Sequence, residues 1–243
     1  MTPQSQSATV AIPVRGATLT GDLAIPEAPN GIVVFAHGSG SSRLSPRNRQ
    51  VAAALQASKF ATLLFDLLTP AEEAVDALTG ALRFDIDLLA ARLADVTDWL
   101  CASPEIRGLD VGYFGASTGA AAALVAAALR PNVVRAVVSR GGRPDLAGPF
   151  LPMVYAPTLL IVGGNDRAVI GLNDTALRRM TNAKTQLSIV PRATHLFEEQ
   201  GALEAVARLA RKWFQENMVG IQQPQRRKTV RGTSNLAASH QAD

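Results

Sequence analysis

Apolar positions along this chain fall into two rhythms. Short runs recur at Ile32–Ala36, Ala61–Phe65, Val111–Phe114, Val133–Val138, Thr158–Val162 and Gln186–Val190. Runs of this length, rich in β-branched residues, suit strands buried on both faces of a sheet. Between them lie stretches with helical spacing. The stretch Leu88–Leu100 is apolar at 88, 89, 93, 96, 99 and 100, which marks one face of a helix. Ala120–Leu129 is an alanine-rich helical run, Val51–Leu55 and Thr175–Met180 read as shorter helices, and Leu203–Phe214 reads as an amphipathic closing helix. Ahead of them, Val10–Pro13 and Thr18–Ile25 predict a hairpin turning at Arg15-Gly16. Alternating strands and helices after a hairpin predict an α/β fold. Its sheet is mostly parallel, antiparallel at the start, and covered by helices on both faces. The expected organisation is a flexible 1–8, one domain over 9–220 and a disordered basic tail over 221–243.

Composition sharpens this picture at three points. Hydrophobic residues make up 47% of the 243, enough for a sizeable core. The net charge of +4 suggests nucleic acid until its position is considered. The last 23 residues hold Arg226, Arg227, Lys228 and Arg231 against one acid, Asp243, while the first 220 hold 20 Lys/Arg against 19 Asp/Glu. The body is therefore close to neutral, and a nucleic-acid partner is not expected. The single cysteine, Cys101, excludes an internal disulfide framework and a multi-cysteine metal site. Met1–Ala8 is polar, with no apolar leader, and no stretch reads as a membrane span. A cytoplasmic protein without a membrane partner is the expectation; monomer or homodimer stays open.

The candidate chemistry centres on Gly115-Ala116-Ser117-Thr118-Gly119, set between the Val111–Phe114 strand and the alanine-rich helix. A serine flanked by glycines at a strand-to-helix turn is a nucleophile elbow. The turn holds the serine in a strained conformation, and bulky neighbours would clash. A hydroxyl needs a general base. Of His37, His195 and His240, His195 lies just past the last strand, at the same edge of the sheet as Ser117. Asp166, after the Thr158–Val162 strand, is the acid expected to orient it, with Asp145 as the rival; Asp174 is read as the cap of the Thr175 helix. Two N–H groups are expected to hold an oxyanion: that of Thr118 and that of Ser39 in His37-Gly38-Ser39-Gly40. His37 is then a brace for that loop.

The motifs His37-Gly38-Ser39-Gly40-Ser41-Ser42-Arg43, Gly115–Gly119, Gly163-Gly164-Asn165-Asp166 and Thr194-His195 resemble those of the α/β-hydrolase superfamily. The likeness spans about 8 to 216 and is greatest to the dienelactone-hydrolase-like group, with Ser117 where that group carries a cysteine. Similar domains also occur fused to a phosphoribosyltransferase-like domain, but no glycine-rich phosphate loop is present here. The resemblance implies a serine hydrolase of small-molecule esters, lactones or thioesters. Its alternatives are a ligand-binding homologue with little turnover, or an acyltransferase using the same residues. The Ser139–Pro157 connection is too short and too rich in Gly and Pro for a helical cap, so an open site is expected. Arg43, Arg140 and Arg143, with Arg47 nearby, are candidates for an anionic substrate group. No metal site or dinucleotide signature is evident, and hydrolysis of this kind needs no cofactor beyond water.

Overall fold

The structure, a computed structural model, describes residues 6–218. The expected tail at 221–243 and the first five residues lie outside these.

Among the described residues, eight strands form one sheet: β1 (Gln6–Val14), β2 (Ala17–Ile25), β3 (Ile32–Ala36), β4 (Ala61–Phe65), β5 (Val111–Ala116), β6 (Val134–Arg140), β7 (Thr158–Gly163) and β8 (Thr185–Val190). Their order is β1-β2-β4-β3-β5-β6-β7-β8. β1 pairs with β2, and β2 with β4, antiparallel; every later pairing is parallel. β1 starts at Gln6, so the expected flexible 1–8 is corrected at Gln6–Ala8. These exposed positions pair with Ile25, Ala24 and Leu23 and lack the apolar rhythm of a buried strand.

Among the described residues, six helices accompany the strands, the last of them following β8: α1 (Pro46–Gln56), α2 (Pro70–Thr79), α3 (Ile86–Ala102), α4 (Thr118–Leu129), α5 (Arg167–Arg179) and α6 (Ala202–Asn217). Strand periodicity sorts the core into two layers. Ile32, Val34 and Ala36 of β3 point toward α3 and α4, while Val33 and Phe35 point toward α1 and α6. α4 is buried on almost every side, and its alanines let neighbouring elements approach closely. The Ser139–Pro157 connection holds only a 3-10 segment, Pro144–Met153, kinked at Gly148, and no helical cap. No helix among the described residues is long and apolar enough to cross a membrane.

α2 was absent from the sequence expectation. Its apolar residues Ala71, Ala74, Val75 and Leu78 recur at helical spacing, but that face is exposed and only Asp76 of its residues is buried. A second signal lies in Thr69-Pro70-Ala71-Glu72. Thr69 caps Glu72 N–H, the Glu72 carboxylate returns to Thr69 N–H, and Pro70 opens the helix. α5 also starts earlier than expected. Asp174 lies inside it, ion-paired with Arg178, and does not cap a helix at Thr175.

Candidate active site

The carboxyl ends of β3, β5, β6, β7 and β8 converge at one edge. Ser117 stands between β5 and α4 with φ 51 and ψ −119, a left-handed conformation that costs a non-glycine residue about 1–3 kcal/mol. The turn is held from both sides. Ser117 N–H donates to the Arg140 carbonyl at 3.3 Å, and its carbonyl accepts from Ala120 N–H and Arg143 N–H, each at 3.1 Å. The flanking glycines are steric requirements. A Cβ on Gly115 would lie 2.4 Å from Ala120 Cα, and one on Gly119 would lie 2.3 Å from the Ala36 and His37 carbonyl oxygens.

His195 and Asp166 meet as expected. His195 Nδ1 donates to Asp166 Oδ2 at 2.7 Å, which leaves Nε2 as the acceptor. Asp166 occupies the N-cap position of α5 but makes no capping bond; its side chain serves His195 instead. The two loops are stitched together: Asn165 N–H donates to Ala193 O at 2.9 Å and Asn165 Nδ2 to Arg192 O at 2.8 Å. Gly163 permits this approach, since a Cβ there would fall 2.4 Å from Ala193 O. Asp145, the rival acid, is taken by a two-pronged pair with Arg143 at 2.9 and 2.7 Å. Ser117 and His195 line one cavity of about 180 Å³. No hydrogen bond joins Ser117 Oγ to His195, a looseness common in free enzymes.

The loop after β3 lies directly against the elbow. A Cβ on Gly38 would be 3.0 Å from Ser117 Cβ. Ser39 and Thr118 flank the same point, and neither N–H has a protein acceptor among the described residues. His37 braces this loop. Its Nδ1 donates to Gly38 O at 3.0 Å, and its Nε2 accepts from Leu67 N–H at 3.0 Å. Burial pushes the His37 pKa below its usual value, against the pull of Gly38 O and Asp66, so the ring stays neutral as this pairing requires.

A second cavity, of about 320 Å³, opens on the other side of the loop. Thr118, Leu67, Leu68 and Leu89 line it, and α2 walls it through Glu73 and Ala77. The wall of this second cavity comes from the segment after β4 and not from the Ser139–Pro157 connection.

The arginines divide clearly. Arg43 pairs with Asp66, through its backbone N–H at 2.7 Å as well as its guanidinium, and reaches Asp22 at 3.6 Å. Arg143 is held by Asp145. Arg140 is 7% exposed and ion-pairs with no carboxylate among the described residues; its Nε is buried without a partner. Burial, and then the charge of Arg47, push its pKa down to about 10. Arg47 was noted in the sequence only as a neighbour; it lines the Ser117 cavity and pairs with Glu198 at 2.8 Å.

Residues 19–219 match the model of the dienelactone hydrolase family. The chain belongs to that family. It is 59% identical to a dienelactone hydrolase from Anabaena variabilis, whose crystal structure superposes with a TM-score of 0.86 over 88% of this chain and 99% of that one. A carboxyl esterase from the fungus Tuber melanosporum shares the fold at 17% identity and a TM-score of 0.67, each chain being covered over 87%. Two Mycobacterium tuberculosis proteins, provisionally named phosphoribosyl transferases, are 61% identical over 202 residues. Those residues are 83% of this dienelactone hydrolase family member but only 44% of each mycobacterial protein.

Proposed function

We propose that this chain is a cytoplasmic serine hydrolase that cleaves carboxylic esters, lactones or thioesters of small molecules through an acyl-enzyme. The observation that carries the reading is the 2.7 Å bond from His195 Nδ1 to Asp166 Oδ2, with Ser117 strained into the same cavity.

Ser117 Oγ attacks the ester carbonyl and its proton passes to His195 Nε2. Asp166 fixes the ring tautomer and stabilises the imidazolium. Negative charge gathers on the former carbonyl oxygen, which accepts from the Ser39 and Thr118 N–H groups. The N-terminus of α4 adds its dipole. Such a donor is worth about 10²–10³ in kcat. Collapse expels the alcohol, which takes the proton from His195. A water deprotonated by His195 then attacks the acyl carbon, releases the acid and restores Ser117.

The name carried by the mycobacterial relatives fits this reading if transfer belongs to the portion of those proteins that this chain does not match. Ser117→Ala should abolish turnover of an aryl acetate and labelling by an organophosphonate probe. Retained turnover in that variant rejects the assignment.

A further inference from the structure

Proton transfer from Ser117 to His195 needs two parts of the fold in register. Ser117 is carried by β5 and α4, whereas Asp166 heads α5 and His195 follows β8. No direct bond between Ser117 Oγ and His195 sets their spacing, so it depends on what ties the two parts together. The turn Gly141-Gly142-Arg143, after β6, runs between them. Its flanks hold the backbone of the nucleophile: Arg140 O accepts from Ser117 N–H at 3.3 Å, and Arg143 N–H donates to Ser117 O at 3.1 Å. Its middle is pressed between the two parts. A Cβ on Gly141 would fall 3.1 Å from His195 O and 3.5 Å from His195 Cε1, and one on Gly142 would fall 2.7 Å from Ala120 Cβ of α4.

Asn173 fastens this turn to α5. It lies about two helical turns along α5 from Asp166, and it is 0% exposed. Its Nδ2 donates to Gly142 O at 3.0 Å and to Val169 O, one turn back, at 2.8 Å. Both neighbours are carbonyl oxygens, so the position calls for a group with two N–H donors. Its Oδ1 is buried without a partner among the described residues. A buried acceptor left unpaired works against folding, and leucine would fill a similar volume without one. Asn173 is thus poorly suited to filling space and well aimed as a donor. Farther down α5, the exposed Arg179 reaches the same connection through Gly148 O at 3.0 Å.

We infer, on the basis of the hydrolase reading, that Asn173 is a positioning residue for acylation of Ser117. By holding Gly142 O it locks the turn that fixes the Ser117 backbone to the helix that carries Asp166. It thereby sets the approach of His195 Nε2 to Ser117 Oγ, and it touches none of the reacting atoms itself. Asp166 and His195 travel together, because Asn165 bonds to Ala193 O and Arg192 O. Loss of the Asn173 donor therefore leaves that pair intact and displaces it relative to Ser117.

Two variants remove the donor in different ways. Asn173→Leu fills the space with apolar atoms, and Asn173→Asp keeps the shape but turns only acceptors on the two carbonyls when ionised. Leu19→Ala, buried in the β1–β2 hairpin, is the control for stability lost far from the site. Each enzyme is checked for folding by circular dichroism and melting. Acylation is then followed in single turnovers of 4-nitrophenyl acetate and by the rate of organophosphonate labelling. Asn173→Leu should lower the limiting acylation rate and the labelling rate together by about 10- to 100-fold, the effect of a displacement near 1 Å. The saturation constant for the ester and the shape of the pH profile should stay as in the wild type. Asn173→Asp should lose at least as much, while Leu19→Ala should melt lower and acylate at the wild-type rate. Wild-type acylation by folded Asn173→Leu overturns the inference. So does a loss matched by Leu19→Ala, or one confined to the saturation constant. If one Asn173 variant fails to fold, the other decides; failure of both makes the residue structural and overturns the inference as well. A wild-type enzyme that shows neither acylation nor labelling would instead defeat the hydrolase reading itself.

Discussion

Replacing Glu72 by glutamine should loosen the wall of the larger cavity by an amount the structure allows to be worked out. Glu72 caps α2 and accepts from Arg92 at 2.8 and 2.5 Å and from Thr69 N–H at 2.8 Å. Arg92 is 5% exposed, and its Nη1 also donates to Leu67 O at 2.7 Å. The pair thus ties α2 to α3 and to the segment that braces His37. Hydrogen bonding to Arg92, outweighing burial, holds the Glu72 carboxyl down from 4.5 to about 2. That displacement corresponds to at most about 3 kcal/mol in favour of the folded state. The Glu72 side chain is 31% exposed, and solvent screening brings the figure toward about 2 kcal/mol. Because the folded pKa is depressed, the stabilisation is present above about pH 4.5 and is lost as the pH falls toward 2. Glu72→Gln should therefore be about 2 kcal/mol less stable at pH 7, equivalent to about 4–8 °C in Tm for a domain of this size. The deficit should shrink when both proteins are unfolded by urea near pH 3. Equal stability at pH 7 would refute the reasoning, and a deficit of the same size at both pH values would show that charge is not its origin.

Two further tests probe the framework of the site. His37→Ala leaves the buried Leu67 N–H without its acceptor, at about 1–3 kcal/mol, and frees the Ser39 loop, so kcat on an aryl acetate should fall about 100-fold; a wild-type kcat would remove His37 from its bracing role. Since burial lowers the folded pKa of His37, its contribution to stability is present above about pH 6.5 and declines in acid, which urea midpoints across that range would check. Gly119→Ala drives a Cβ to within 2.3 Å of two backbone oxygens and should cost about 3 kcal/mol or more, whereas Gly171→Ala, in α5 with nothing within 4 Å, should be neutral or stabilising by up to about 1 kcal/mol. Similar melting temperatures for these two variants would contradict the steric argument.

The centre of the sheet was legible because its strands are buried on both faces, so that Ile32–Ala36 and Leu159–Val162 are apolar without interruption. The meeting of His195 and Asp166 was legible too, because parallel topology sends the ends of β5, β7 and β8 to one edge. Helix starts were less so. α1 begins at Pro46 and α5 at Arg167, where caps and polar residues decide and apolar spacing is silent. α2 is a different case: Ala71, Ala74, Val75 and Leu78 keep helical spacing, but the run is short and its apolar face stays exposed, and the second cavity was missed with it. The fate of each arginine also lay beyond sequence. Arg43, Arg140 and Arg143 are alike as residues, and only the fold decides which of them has an acid within reach.

The backbone of Ser117 has a consequence outside the reaction. At φ 51 and ψ −119 the protein carries a standing cost at the one position where it displays its hydroxyl. Glycine would relieve it, so Ser117→Gly should be both inactive and more robust, by up to about 1–3 kcal/mol before the entropy glycine adds to the unfolded chain. Selection for thermal endurance alone would thus erode the chemistry first at this residue. A serine that persists there is kept by its work and not by its contribution to folding.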